Sequence, residues 1–365
     1  MKFRCERDVL FDALSTAQRA VSTRGGSLPV LSGVRAHLSG DHLELTGSDL
    51  DLTITVDVVV AGETDGTVVV PAKLASDIVR ALEPGAVSFS AEDGEAQISG
   101  GRSEFSIRLI PADEYPRLPE PEGDGVSLQT DEFAQALRQV VSAASNDDSR
   151  PILTGVLLAA EGDGLRLVAT DSYRLAVRDL PGTSVLSAGQ QVLVPSRALS
   201  ELGRVLGQAD QLVLRLGERD ASFELGGIRV TTRLIEGEFP NYRSLIPAEQ
   251  PNRLTVGREV LLDAIRRVKL VAQEASSPVR LVMSSDQLEL IAITQDVGQA
   301  HEGLDAKYEG EELTVAFNPN YLLDGVEVAP GDEVTLLSVD ALKPALLRSV
   351  DNPEFLYLLM PVRVS

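Results

Sequence analysis

The stretch "LPVLSGVRAHLSGDHLELTGSDLDL" (Leu28–Leu52) and the stretch "RPILTGVLLAAEGDGLRLVATDSYRL" (Arg150–Leu175) share one pattern. Pro29 to Asp49 and Pro151 to Asp171 each span 20 positions, and Val34 to Leu43 and Val156 to Leu165 each span nine. A third copy, "VRLVMSSDQLELIAIT" (Val279–Thr294), keeps the nine steps from Val279 to Leu288. A second block repeats on its own, with Pro71, Pro195 and Pro319 each 124 residues apart. A third block places Leu109, Leu234 and Leu359 at intervals of 125. Three blocks in one order at nearly one period read as a triplicated domain.

Punctuation sets the boundaries. "PRLPEPEGDGVS" (Pro116–Ser127) and "IPAEQPNRL" (Ile246–Leu254) read as linkers. The expected domains are therefore residues 1–122, 123–249 and 250–365. Each is expected to open with a helix, as in "TDEFAQALRQVVSAAS", where Phe133, Leu137, Val140 and Val141 recur at helical spacing and Thr130 suits the N-cap. Alternating strands follow, such as "HLELT" and "LRLVA". A second helix is expected directly after each repeated proline, whose missing N–H costs nothing in a first turn. Strand and helix alternate too sparsely for a parallel sheet, so the class is α+β, with two helices and an antiparallel, strand-rich sheet per copy.

Composition bounds the function. The chain has 365 residues, 43% hydrophobic and 24% charged, the balance of a globular protein. "MKFRCERDVLFDAL" resembles no secretory signal, and no apolar run reaches membrane-spanning length, so a cytoplasmic protein is expected. One cysteine, Cys5, excludes an intrachain disulfide and a multi-thiolate metal site. The three histidines, His37, His42 and His301, form no metal-binding pattern, and no phosphate-cradling glycine loop is present. No metal, cofactor or catalytic group is expected. The formal charge of −22 argues against a protein that coats itself with nucleic acid. It leaves open one that is acidic outside and basic in an interior cavity.

Thr170, Asp171 and Ser172 look like the beginning of a catalytic site. However, Ser48-Asp49 occupies the same place in the first copy, just after a strand, where short polar side chains close turns. Two rival readings stand beside a binding protein: an enzyme using Thr170 and Asp171, and a repeat-built adhesion protein. The turn reading leaves "SYRL" unexplained, because the first copy has "LDL" there.

"MKF" at the start, three repeats near 122 residues, "LPVLSG", "ATDSYRLAV", "EGEFPNYRSLIP" and a terminal "YLLMPVRVS" together resemble the bacterial β sliding clamp family, the processivity subunits of replicative DNA polymerase. The resemblance covers the whole chain. It implies three DNA-clamp domains forming half of a ring: a head-to-tail homodimer around duplex DNA, with helices inside and sheets outside. Helix width supports two copies. Six helices about 10–12 Å wide enclose a hole of only about 20 Å, whereas twelve enclose about 40 Å, enough for a hydrated duplex. Topology rather than charge would then hold the DNA, which accommodates an acidic chain.

The family's residues carry over as follows. The DNA-facing bases are Arg24, Lys73 and Arg197, chosen from helices that also bear Arg80, Arg138, Arg204, Arg266, Arg267 and Lys269; these bases equally suit an ordinary surface. The dimer contact sets Phe105 and Ile107 against Leu270 and Val271, with Arg102 facing Glu302 or Asp305. Leu270 also fits a core position. The partner-peptide pocket is formed by Arg150, Leu153, Thr170, Tyr173, Arg174, Leu175, Pro240, Leu245, Pro344, Met360, Pro361, Val362 and Arg363. It would dock short linear peptides of the polymerase, the clamp loader, and translesion and repair proteins. Tyr173 stands where some relatives carry histidine, Pro344 where others are polar, and Val364-Ser365 where many end in leucine. These departures fit a specialised second-copy clamp as an alternative to the housekeeping one.

Overall fold

The computed structural model describes all residues except 23–27, 117, 119–122, 273–276 and 364–365. Arg24 and Val364-Ser365 therefore lie outside the described residues, as does part of the first expected linker.

Among the described residues there are six α-helices: α1 (Arg7–Gln18), α2 (Ala72–Ala81), α3 (Thr130–Val140), α4 (Ser196–Gly203), α5 (Arg258–Val268) and α6 (Pro319–Val328). All strand pairs between named strands are antiparallel. Contacts group the chain into two compact units, Met1–Asp131 with Ser200–Leu234, and Glu132–Leu199 with Ile235–Ser365.

The first unit holds two sheets. A five-stranded sheet runs in the order Ala61–Thr64, Lys2–Glu6, Ala86–Glu92, Glu95–Gly100 and Ser103–Arg108. An eight-stranded sheet takes four strands from the second copy and four from the first, joined where Ile228–Arg233 pairs with Leu52–Val59. α1 and α2 lie against each other and bury Leu10, Leu14, Ala75 and Val79. Burying such side chains contributes about 1.5–3 kcal/mol each for the larger ones.

The second unit repeats the plan. Its nine-stranded sheet joins the second copy to the third where Arg174–Leu180 pairs with Phe355–Leu359, and a four-stranded sheet ends on the edge strand Gly298–Asp305. α5 and α6 pack together, and α5 buries Leu261, Leu262, Ile265 and Val268. The strands of each copy are thus divided between two sheets, and each of the larger sheets is completed by a neighbouring copy.

Four local expectations are corrected. A short strand precedes each opening helix: Lys2–Glu6, Val126–Gln129 and Asn252–Gly257. Thr130 is the first helical residue, and its hydroxyl donates to the Ala209 carbonyl at 2.6 Å, so the cap falls one residue earlier. Pro71 and Pro195 end strands, and their helices start one residue later, whereas Pro319 is itself in the first turn of α6. In the third copy the capping role passes to Asn318, whose side chain accepts from the Asn320 N–H at 2.9 Å. The third block shifts by two: residues 350–354 separate the last two strands of the third copy, where Gly226-Gly227 suffice in the second. Leu359 therefore matches Thr232 in the fold rather than Leu234.

Candidate functional site

The Thr170 turn is built from its own side chains. Thr170 Oγ1 donates to the Arg174 carbonyl at 2.7 Å and accepts from the Ser172 N–H at 3.2 Å. Asp171 Oδ1 accepts from the N–H groups of Tyr173 and Arg174 at 2.9 and 3.0 Å. The first copy repeats this arrangement: Asp49 Oδ1 accepts from Asp51 and Leu52 at 3.1 and 2.8 Å. Ser172 and Leu50 both sit at φ +80°. The Thr-Asp pair is a turn device, with its carboxylate oxygens occupied by backbone and by Arg174.

Three residues after the turn aspartate the copies diverge. The first copy places Leu52 where the second places Arg174, a residue that is only 9% exposed. Its Nε donates to Asp171 Oδ2 at 3.1 Å, and its Nη1 to Asp324 and to Tyr357 Oη, the latter at 3.2 Å. Its Nη2 donates to the Ser142 carbonyl, and the Tyr321 ring centroid lies 4.5 Å from the guanidinium carbon. Burial works against this charge, but Tyr357, Asp324 and Asp171 together raise its pKa above the ordinary guanidinium value. Burial likewise raises the Tyr357 phenol, so it remains a neutral hydrogen-bonding partner.

α6 reaches this arginine because Gly325 lets it close on the sheet. A Cβ there would lie 2.6 Å from the Tyr357 ring. Tyr321 and Asp324, three residues apart, share the helix face turned toward Arg174. The Tyr321 ring also stacks on Tyr173, with centroids 6.4 Å apart.

The sheet brings several of the other expected residues to one end. Leu359 lies opposite Arg174 on one side and Ala345 on the other, which brings Met360 and Pro344 to the same rim as Tyr173. The Met360 N–H donates to the Tyr173 carbonyl at 2.9 Å, and Val362 donates to Ala316 at 2.8 Å, fixing the tail through Pro361. Arg150 Nη1 donates to Ser172 Oγ at 3.2 Å, and the Leu153 N–H to the Arg150 carbonyl at 3.0 Å. Leu175 has no exposed surface. It lies in a core cluster with Leu346, Leu358 and Tyr242, and Pro240 and Leu245 flank that tyrosine. Leu175 supports the site from beneath, and Leu153 is also buried, while Tyr173, Leu245 and Met360 are exposed. Arg363 is exposed at the end of the described tail.

Sequence reasoning missed Tyr321, Asp324 and Leu342. The first two carry an i, i+3 signal on α6; Leu342, 64% exposed beside Pro344, carries none. The arrangement sets exposed Tyr173 and Met360 side by side over the buried Arg174, and Leu245 and Leu342 are exposed apolar side chains of the same unit. It is suited to binding apolar side chains. No group of metal-ligating side chains occurs among the described residues, and no described helix is long and apolar enough to cross a membrane.

The other expected residues lie elsewhere. Lys73 and Arg197 are exposed on α2 and α4. Arg80 and Arg204 pair with Asp77 and Glu201 three residues back, and Arg266 on α5 pairs with Glu327 on α6. In the first unit Phe105 is 37% exposed on its edge strand, whereas Ile107 is buried in its own sheet and Arg102 is exposed. In the second unit Leu270 is 70% exposed rather than core, Val271 is half-buried and Asp305 is exposed. Glu302 is taken by Arg267, whose Nε donates to both of its oxygens at 3.0 Å.

Comparison with known proteins places this architecture. Residues 1–119, 127–241 and 243–363 match the N-terminal, central and C-terminal domains of the DNA polymerase III beta subunit. The chain is 38% identical over 380 residues to the beta sliding clamp of Streptomyces coelicolor, covering 100% of both chains. The Bacillus subtilis DNA polymerase sliding clamp superposes with a TM-score of 0.91 at 31% identity, covering 100% of both chains. A sliding clamp of Bartonella birtlesii solved bound to griselimycin superposes with a TM-score of 0.92 at 32% identity, again over 100% of both.

Proposed function

The chain belongs to the DNA polymerase III beta subunit family of sliding clamps, and from that membership we propose that it works as a head-to-tail homodimer whose closed ring encircles duplex DNA. Its family consists of processivity factors, which catalyse nothing themselves. The three clamp domains, with boundaries near residues 122 and 249, would double to six around the ring in the cytoplasm. Lys73, Arg197 and Arg24 would face the DNA.

One observation carries this reading. The chain joins copy to copy twice by the same antiparallel strand pair, and the third instance of each strand, Ser103–Arg108 and Gly298–Asp305, ends a sheet as an edge. An unprotected edge recruits another chain. Head-to-tail contacts of one kind close into a ring when the rotation permits.

The Tyr173–Met360 rim is the proposed docking place for short peptides of the polymerase, the clamp loader, and translesion and repair proteins. Its exposed apolar side chains over a fixed arginine support this, as does a griselimycin-bound clamp among the relatives of the same shape. Methionine suits a surface that repacks around several partners.

The test is topological. The protein is loaded by a clamp loader onto nicked circular DNA, and the DNA is then linearised. A ring is retained on the circle and lost from the linear ends; equal retention on both overturns the proposal.

A further inference from the structure

One face of the nine-stranded sheet changes character along its strands. Side chains alternate across a strand, so Leu157, Ala159 and Glu161 share a face of Gly155–Glu161, Arg166 and Val168 of Gly164–Thr170, and Leu175, Val177 and Asp179 of Arg174–Leu180. Leu157, Val168, Leu175 and Val177 belong to the core cluster that holds Tyr242, and Ala159 packs against it. Away from the Thr170 turn the same face becomes charged, with Arg166 opposite Asp179 on one side and Ala159 on the other, and Glu161 two residues past Ala159.

These charges form a chain of alternating sign. Arg166 Nε and Nη2 donate to the two oxygens of Asp179 at 2.6 and 2.8 Å, a bidentate pair, and its Nη1 lies 3.1 Å from Glu161 Oε1. The other Glu161 oxygen accepts from Arg243 Nη2 at 2.6 Å. The bond to Asp179 raises the Arg166 pKa above the ordinary guanidinium value against the effect of burial, and the Tyr242 phenol adds to it.

Tyr242 and Arg243 come from a separate segment, residues 236–251, which leads into the third copy. Among the described residues its backbone hydrogen bonds are made within the segment, as in Tyr242 N–H to the Pro240 carbonyl at 2.7 Å and Ile246 N–H to the Arg243 carbonyl at 3.3 Å. Side chains therefore seat it on the sheet. Tyr242 enters the core cluster, Phe239 and Ile246 pack against it, and the Phe239 ring meets Tyr242 edge-on with centroids 6.3 Å apart. Such burial holds the segment down but is non-directional. The Arg243 bond to Glu161 is directional, and the same guanidinium has its carbon 5.6 Å from the Tyr242 ring centroid.

We infer that Glu161, Arg166 and Arg243 are positioning residues for peptide docking: their ion chain fixes how residues 239–246 sit on the sheet, and so where Pro240 and Leu245 stand. This rests on the docking reading, in which Pro240 and Leu245 belong to the peptide pocket. Leu245 follows Arg243 by two residues and is 43% exposed, so its place is set through Arg243 rather than by burial of its own. Arg166 acts one step further back. Gripped on two sides by Asp179, it holds the Glu161 carboxylate toward Arg243 in one orientation. A segment ordered beforehand spares the ligand the entropy of ordering it.

The test titrates the full chain and its variants calorimetrically with griselimycin, the compound bound in the Bartonella birtlesii clamp, and reads the Tm of each. Arg243→Gln and Glu161→Gln are each expected to weaken binding about fivefold, since ordering the segment then falls to the ligand. Their Tm should fall by less than about 4 °C, because the pair is 58% and 35% exposed. Arg243→Lys keeps a charged donor for the single bond to Glu161 and should bind as the parent does. The double variant Glu161→Gln with Arg243→Gln should bind no more weakly than either single one, because both act through one contact. Unchanged binding in Arg243→Gln beside a loss in Tyr173→Ala overturns the positioning role and leaves the docking reading. So does an Arg243→Lys protein as weak as Arg243→Gln, or a double variant whose losses multiply. A parent that binds no griselimycin overturns the docking reading and this one with it.

Discussion

Arg174 and Arg178 lie on one face of one strand and are both buried, yet their removal should have very different costs. Arg174 meets Asp171, Asp324, Tyr357 and Ser142. Arg174→Ala leaves Asp171 10% exposed without its counter-charge and the Tyr357 hydroxyl without its donor. Breaking a buried pair from one side costs about 3–5 kcal/mol. For a unit of about 200 residues that corresponds to a Tm lowered by roughly 6–20 °C. Arg178 is held by Asn352 at 2.7 Å and more distantly by Glu354 at 3.9 Å, while its Nε has no hydrogen-bond partner among the described residues. Burial lowers its pKa, so its charge is poorly compensated. Arg178→Met should therefore change stability by less than about 1 kcal/mol. Differential scanning calorimetry of the two variants, with Arg174→Lys as an intermediate that keeps charge but loses the fork, reads the contrast. An Arg174→Ala transition within about 2 °C of the parent, or an Arg178→Met loss as large as that of Arg174→Ala, refutes the argument. With the expected loss of Tm, weakened peptide binding in Arg174→Ala reports a collapsed base rather than a lost contact.

Tyr173→Ala, by contrast, removes a 58% exposed ring; peptide affinity measured by titration calorimetry should fall about tenfold, as befits an interface aromatic, while Tm stays within about 2 °C. Ser172→Gly relieves a left-handed residue at φ +80° and should raise stability by about 0.5–1 kcal/mol in urea melts, the strain relieved exceeding the entropy glycine adds. Burial pushes the Cys5 thiol from 9.0 up to about 11. At pH 8 its alkylation should be about 100-fold slower than that of a free thiol, and raising the pH through 11 should restore thiolate and rate; fast labelling at pH 8 would contradict the burial.

The sequence by itself determined the triplication, the α+β class, the helices and the turn character of Thr170-Asp171. Those features are local or periodic: side-chain spacing fixes a helix or strand, and one turn occurring twice with the same offsets reveals itself as a turn. The Tyr173-Arg174-Leu175 run was legible as particular to the middle copy, but its division of labour was not. Only the tertiary structure put Arg174 inward and Leu175 in the core, because the partners that decide it, Asp324 and Tyr357, lie 150 and 183 residues away. The same holds for the sheets. Which copy completes which sheet depends on strand pairs between distant segments, and a five-residue loop at 350–354 moved the third block out of step without disturbing its period. Periodicity records what each copy inherited, while burial and pairing record what each copy's neighbours are.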